Sequence, residues 1–330
     1  MKHVFCLLFV LLLGITSPLY SLTLKIGSPA PEGSPWDNSL REMAVEWKKI
    51  SKGKIIVKIY PGGIVGDEAD MIRKMRIGQL QGGVFTSSGI AKITPEILSL
   101  SLPFLVQNDD EIDFLLNKHS PYFEELLINK GFAVVAWSRA GWIHIFSKDP
   151  VFYPDDLKKH ILAVTDSDAT MLQGWRTGGY NAVPLSTNNI MTGLQSGMVT
   201  AYYMPPLVSA TFQWFALAKN MCSLPLAPLT GALILDERTW KKIDKMNREE
   251  LVNSTKVLMR NLRQISVDLE KRAISTMIKH GLVVNRVTPD IAEIWKNTAS
   301  SEYNYLIGKV FSESLLTQLK QDLKEYRKKL

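Results

Sequence analysis

Leu22-Thr-Leu-Lys-Ile-Gly27 alternates apolar and polar residues with a period of two, which predicts a strand. Ser34-Pro35-Trp36-Asp37 then predicts a helix start, with Ser34 as N-cap, Pro35 at the first helical position and Asp37 completing a capping box. Leu40, Met43, Ala44, Trp47 and Ile50 keep a helical stripe until Gly53. Lys54 to Tyr60 predicts a second strand, and Asp67 to about Ile77 a helix ended by Gly78. Phe85-Thr-Ser-Ser-Gly89 reads as a short strand running into a small polar loop. Asn108-Asp-Asp-Glu111 opens another capped helix, and Phe132 to Trp137 is a buried strand.

From Trp142 the alternation of strand and helix begins again. Ile143 to Phe146, Ile161 to Val164 and Gly231 to Leu235 are strands; Ala169 to Thr177 and Asn188 to Ser196 are helices closed by glycines. Arg248 to about Lys279 carries a helical stripe through Leu251, Leu258, Leu262, Leu269 and Met277. A helix that long predicts a strut crossing more than one domain, since the average is about 11 residues. The whole is an α/β chain of two lobes. Its 330 residues agree with that division, because a single core seldom grows past about 250–300 residues.

Composition changes the picture at the N-terminus. Met1-Lys2-His3, an apolar run from Val4 to Gly14 and the segment ending at Ser21 predict a secretory signal peptide over residues 1–21. The run is shorter than the ~20 residues a membrane span needs, so an exported, periplasmic chain is expected. Cys6 and Cys222 are the two cysteines, which excludes a disulfide scaffold and a cysteine zinc site; Cys222 is expected to be a buried structural thiol. The net charge of +7 is spread too thinly to indicate a nucleic-acid partner.

A search for chemistry returns little. No phosphate-cradling loop, nucleophile elbow or metal-binding helix motif is present, and Gly62-Gly63-Ile64-Val65-Gly66 reads as a turn. His119, His144, His160 and His280 have no ligand spacing, so no metal, cofactor or enzymatic activity is expected. The acidic pairs Asp109-Asp110, Asp155-Asp156 and Glu249-Glu250 fall at expected helix starts, where they meet the helix dipole. An exported hydrolase would need a nucleophile with a spaced base, and the sequence offers none. Aromatics concentrate in the middle third, at Trp142, Trp175, Tyr180, Tyr202, Tyr203, Phe212 and Trp214. Each taken singly reads as core, while Tyr202-Tyr203-Met204-Pro205-Pro206, leaving a strand at a lobe boundary, reads as an apolar wall of a ligand cleft.

An ordered set of motifs resembles a known family. Lys54 to Gly66, Leu102-Pro103-Phe104-Leu105, Tyr153-Pro-Asp-Asp-Leu-Lys158, Val183-Pro184 and Gly193-Leu194-Gln195-Ser196-Gly197 are similar, in order, to segments of the solute-binding subunits of tripartite ATP-independent periplasmic (TRAP) transporters, the DctP family. The resemblance implies a Venus-flytrap fold whose cleft closes on a small molecule. It also implies a membrane permease, of a small and a large subunit, as partner through peripheral contact. With crossovers implied near residues 140, 228 and 268, the expected lobes are 22–140 plus 229–268 and 141–228 plus 269–330. The family's ligand-binding arginines and asparagine fall on Ile143, Ala163 and Met204 here, and apolar side chains cannot grip a carboxylate as a guanidinium fork does. The expectation is therefore a hydrophobic or amphipathic ligand. Its wall would be Trp36, Phe85, Trp142, Ile143, Ala163, Tyr202, Tyr203, Met204 and Trp214, with hydrogen bonds from Thr86 and Ser87. An arginine introduced at Ala163 would then sit in a wet cleft and leave melting unchanged. The alternative keeps an organic acid, held by Arg139 or Arg176.

Overall fold

A computed structural model describes residues 21–165 and 169–329. The leader expected over residues 1–21, with Cys6, lies outside them except for Ser21. The strands are β1 (Leu22–Gly27), β2 (Ile55–Tyr60), β3 (Gly82–Thr86), β4 (Phe132–Trp142), β5 (His144–Ser147), β6 (Ile161–Thr165), β7 (Asn181–Leu185), β8 (Ala201–Met204), β9 (Asn220–Cys222), β10 (Pro228–Asp236) and β11 (Val283–Asn285). They form two mixed sheets, in the orders β2-β1-β3-β10-β4 and β11-β9-β5-β8-β6-β7. Each sheet is the centre of one lobe.

β10 is buried at all nine of its positions because helices cover both faces of the first sheet. Alternate residues go to opposite cores. Leu233 and Leu235 join Leu24, Ile26, Leu40 and Trp47, while Ala232 and Ile234 join Phe85, Met71, Ile97 and Phe123. In the second lobe Ile145, Phe146, Leu162, Ala201, Tyr202 and Trp214 make the core.

The first helix, Pro35–Ile50, starts as its sequence demands: Ser34 accepts a hydrogen bond from the Asp37 N–H, and Pro35 occupies the first turn. Asp37 does not close the expected capping box, because its Oδ2 accepts from the Gly33 N–H at 2.9 Å and the Arg41 Nε–H at 2.8 Å. A reciprocal box does form at Asp67 and Asp70, opening the helix Glu68–Arg76. Ser87–Ala91, expected as loop, is a short helix capped by Thr86. The acidic pair Glu249-Glu250 stands beyond the first turn, because the long helix starts at Lys245.

The lobes are joined by two chain crossings that pair with each other. The β4–β10 ladder reaches Trp142 opposite Pro228, and past it Ile143 N–H donates to the Ala227 carbonyl at 2.8 Å while Leu226 N–H donates to Ile143 at 2.9 Å. The helix Lys245–Lys279, 35 residues long, braces both sides. Leu251 and Leu258 pack into the first-lobe core, and Met277 into the second.

The C-terminal part departs from the expected division. Trp295 belongs to the second-lobe core, but Ala299, Tyr303, Leu306, Leu316, Leu319 and Leu323 are buried in the first. The helix Glu313–Arg327 lies along the helix Asp109–Ile128, where Arg327 grips the buried Glu111 bidentately at 2.8 and 2.7 Å. Asp322 holds Lys118 and His119, each at 2.8 Å. These partners draw the last two helices back across the lobe boundary, so 269–330 is not wholly a second-lobe segment.

Trp47 and Thr255, both fully buried, tie the first helix to the long one through an indole N–H to Oγ1 bond of 3.0 Å. Thr255→Val keeps the shape but strands the indole donor. It should lower unfolding free energy by about 1–3 kcal/mol, read as a shifted denaturant midpoint at unchanged m-value.

Candidate ligand-binding cleft

A cleft with an empty volume of about 1160 Å³, counting space open to solvent, lies between the lobes. The first lobe contributes Pro29, Ala30, Trp36, Met71 and Phe85, and the second Met204, Val208 and Phe212. The crossings add Arg139, Ala140, Leu229 and Thr230 to the floor. Gly63 and Asn188 stand at its edge from opposite lobes. They are so close that a Cβ on Gly63 would lie 2.6 Å from the Asn188 amide nitrogen. Gly63 also holds φ at +69°, the left-handed region that favours glycine, whereas the Asn188 amide is the end of a flexible side chain and can move aside.

Of the residues expected to form the wall, Trp36, Phe85, Thr86 and Met204 line this cleft. Thr86 is already occupied: its N–H and Oγ1–H both donate to the Glu68 carboxyl, at 2.6 and 3.0 Å, and its Oγ1 accepts from the Gly89 N–H. The others are elsewhere, each for a packing reason. Ser87 is buried inside the short helix, and its neighbour Ser88 faces the cleft instead. Trp142 turns away, donating its indole N–H to Asp109 at 2.8 Å. Ile143 and Ala163 are 8% and 4% exposed within the second-lobe core. Tyr202 stacks on Phe146 with centroids 5.1 Å apart and is edge-on to Trp214. Tyr203 stacks on Trp175. The aromatic cluster of the middle third is thus mostly core, and only Phe212 of it reaches the cleft.

The two arginines of the alternative separate. Arg176 spends its Nε–H and Nη2–H on the Ala182 carbonyl, at 3.1 and 3.0 Å, away from the cleft. Arg139 does line it, but its Nη1–H donates to Asp109 at 2.8 Å and its Nη2 lies 3.3 Å from Asp113 Oδ1. The charges beside the cleft are thereby largely matched before any ligand arrives.

Glu68, Lys92 and Thr230 also line the cleft, and no motif in the sequence pointed to them. Burial pushes the Glu68 carboxyl up to about 7, against the opposing pull of the Thr86 donors and Lys92. Glu270, on the long helix, faces Gly141 at the crossing, where a Cβ would stand 2.5 Å from its carboxylate oxygen. Burial, then repulsion from Asp109, pushes Glu270 up to about 7 as well. No histidine is among the residues that line the cleft; His144 is half-buried, with its Nδ1–H on the Cys222 carbonyl at 2.9 Å, and desolvation lowers its pKa. Cys222 is itself buried, its thiol pushed up to about 11. Among the described residues no cluster of His, Cys, Asp or Glu could hold a metal ion, and no helix is long and apolar enough to cross a membrane.

Two α/β lobes around a ligand-sized cleft, joined by paired crossing segments, define a solute-binding fold. The family of bacterial extracellular solute-binding proteins, family 7 (DctP), matches residues 26–309, and the chain belongs to it: it is a solute-binding protein of the TRAP type, in a family of transport proteins rather than enzymes. The "2,3-diketo-L-gulonate-binding periplasmic protein" of Escherichia coli K12 is 21% identical over 82% of this chain and 82% of its own. A solute-binding protein of Chromohalobacter salexigens is 21% identical over 78% of this chain and 77% of its own. Among solved structures, a TRAP solute-binding protein from Desulfovibrio salexigens with bound orotic acid superposes with a TM-score of 0.85 at 18% identity, covering 92% of this chain and 99% of that one. One from Sulfurospirillum deleyianum with bound succinate gives 0.83 at 18% identity, covering 90% and 98%.

Two predictions follow from this geometry. The folded chain holds the protons of Glu68 and Glu270 more tightly than the unfolded chain, where the ordinary value is 4.5. Their contribution to stability is therefore complete below that pH and lost as pH rises through about 7. Melting temperature should fall across this window, and Glu68→Gln combined with Glu270→Gln should flatten the fall. Secondly, Ala163 packs in a core rather than a wet cleft, so Ala163→Arg buries an unpaired charge. It should cost several kcal/mol, seen as a marked drop in melting temperature without any ligand, contrary to the expectation from sequence.

Proposed function

We propose that this chain captures a small hydrophobic or amphipathic molecule between its lobes and presents the closed form to the small and large subunits of a TRAP membrane permease. The observation that carries the ligand class is the cleft's lining. Trp36, Met71, Phe85, Met204, Phe212 and Leu229 offer apolar surface, and the one arginine among the lining residues is matched by Asp109 and Asp113. An apolar ligand gains by leaving water for such walls, at about 25 cal/mol per Å² buried. A small dianion would exchange its hydration for contacts that cannot repay it. In this reading the chain is exported with residues 1–21 removed, acts by binding without turnover, and bends at the two crossings. The second lobe is then 141–228 with the segment after the long helix as far as Trp295, and the rest of the C-terminal part rides on the first.

A second reading keeps an organic acid on Arg139. Two observations favour it: Arg139 faces the cleft, and solved structures of the same fold carry orotic acid, succinate, galacturonate or glucuronate.

Mass spectrometry of molecules retained through native purification, followed by calorimetry on the refolded apo protein, separates the two. The apolar reading expects an apolar ligand, a negative heat-capacity change on binding and a smaller radius of gyration by X-ray scattering with ligand than without. Succinate and glucuronate should bind no tighter than about millimolar, some 4 kcal/mol. Micromolar affinity for either acid would establish the second reading and reject the first.

A further inference from the structure

Buried polar groups without partners are rare in folded chains, and three of those among the described residues line the interlobe cleft. Thr230 is 2% exposed, and its Oγ1 is buried with no hydrogen-bond partner. Arg139, with its side chain 9% exposed, has an Nη2 in the same condition: the 3.3 Å approach to Asp113 is an ion pair without hydrogen-bond geometry. Trp36 presents an indole Nε1–H that is likewise buried and unpaired. Thr230 and Arg139 are directly opposite each other in the β10–β4 ladder, so their side chains leave the same face of the sheet as neighbours.

All three groups can donate, and two of them can only donate. Their complement is an acceptor. The charge around them selects its kind. Asp109 and Asp113 already flank the Arg139 guanidinium, Asp110 stands one residue on, and Glu270 faces the crossing; Arg263 is held by Asp113, and the lining Lys92 acts on Glu68. A carboxylate placed against Nη2 would meet at least as much negative as positive charge. A neutral carbonyl takes the same hydrogen bonds without that repulsion.

We propose that Thr230 and Arg139, with Trp36, bind the polar end of the ligand and select an uncharged carbonyl acceptor of the amide, ester or ketone class over a carboxylate. This rests on the apolar reading of the cleft and adds the chemistry of the ligand's head to it. Thr230 sets specificity through its hydroxyl, Arg139 through one N–H rather than through its charge.

The test uses two probes with the same chain and different heads, octanamide and octanoate, titrated into the apo protein at about pH 8, where octanoate is ionised. Octanamide should bind at least about tenfold more tightly, or ~1.4 kcal/mol. Thr230→Val should bring the two within about twofold. It should not lower the melting temperature of the apo protein, because the hydroxyl has no partner to lose. Trp36→Phe, which keeps a ring but removes the N–H, should weaken octanamide more than octanoate. Octanoate binding as tightly as octanamide, or a preference that survives Thr230→Val, overturns the assignment while leaving the apolar cleft intact. If neither probe binds, or if succinate or glucuronate binds more tightly than both, the apolar reading itself is rejected.

Discussion

The close pairing of β10 with β3 and β4 is the constraint on which the rest of the molecule depends. Gly231 is the tightest point: a Cβ there would lie 2.3 Å from the Phe85 carbonyl oxygen, an atom of the backbone that cannot move aside. The close approach lets one strand serve three purposes. Its second half forms the double-faced core of the first lobe through Ala232, Leu233, Ile234 and Leu235. Thr230 and Gly231 form part of the cleft floor. Pro228 marks the crossing, opposite Trp142. Any movement of one lobe against the other therefore acts on the same strand pair that floors the cleft.

Charge follows the same geometry. The helix Asp109–Ile128 begins with three acidic residues, where its dipole favours negative charge. Asp109 uses that position to hold two residues of β4 at once, Arg139 and Trp142, through one carboxylate oxygen. Asp113 extends the network to Arg263 on the long helix. A guanidinium at the cleft wall is thus wired to the elements that would have to rotate. Its charge is matched by Asp109 and Asp113 before any ligand arrives.

The C-terminal helices reinforce this arrangement from outside. By returning to the first lobe, Glu313–Arg327 buries Leu316, Leu319 and Leu323 and anchors through Arg327 to Glu111 and through Asp322 to Lys118 and His119. Tyr303 joins this return path to the Pro103 carbonyl. The segment Pro103-Phe104 then faces the second lobe, where the Phe104 N–H donates to the Leu226 carbonyl at 2.7 Å.

The sequence by itself determined what is local or periodic. Ser34, Asn108 and Gly197 end their helices as their chemistry requires, β1 falls on its alternating segment, and the long strut was legible in a stripe of leucines. The order of motifs carried the family and with it the two-lobe fold. What the tertiary structure alone decided was direction. Tyr202, Trp214 and Ile143 have the composition of a cleft wall and are buried in a core, since an aromatic stripe is equally fit for either surface. Thr230, Glu68 and Lys92 reach the cleft from strands and helices far apart in the chain, and a lone threonine or glutamate carries no signal of its neighbours. Whether Arg139 is a ligand anchor or a structural tie depends on carboxylates about thirty residues earlier. That distance is closed only when the sheet folds against the helix Asp109–Ile128.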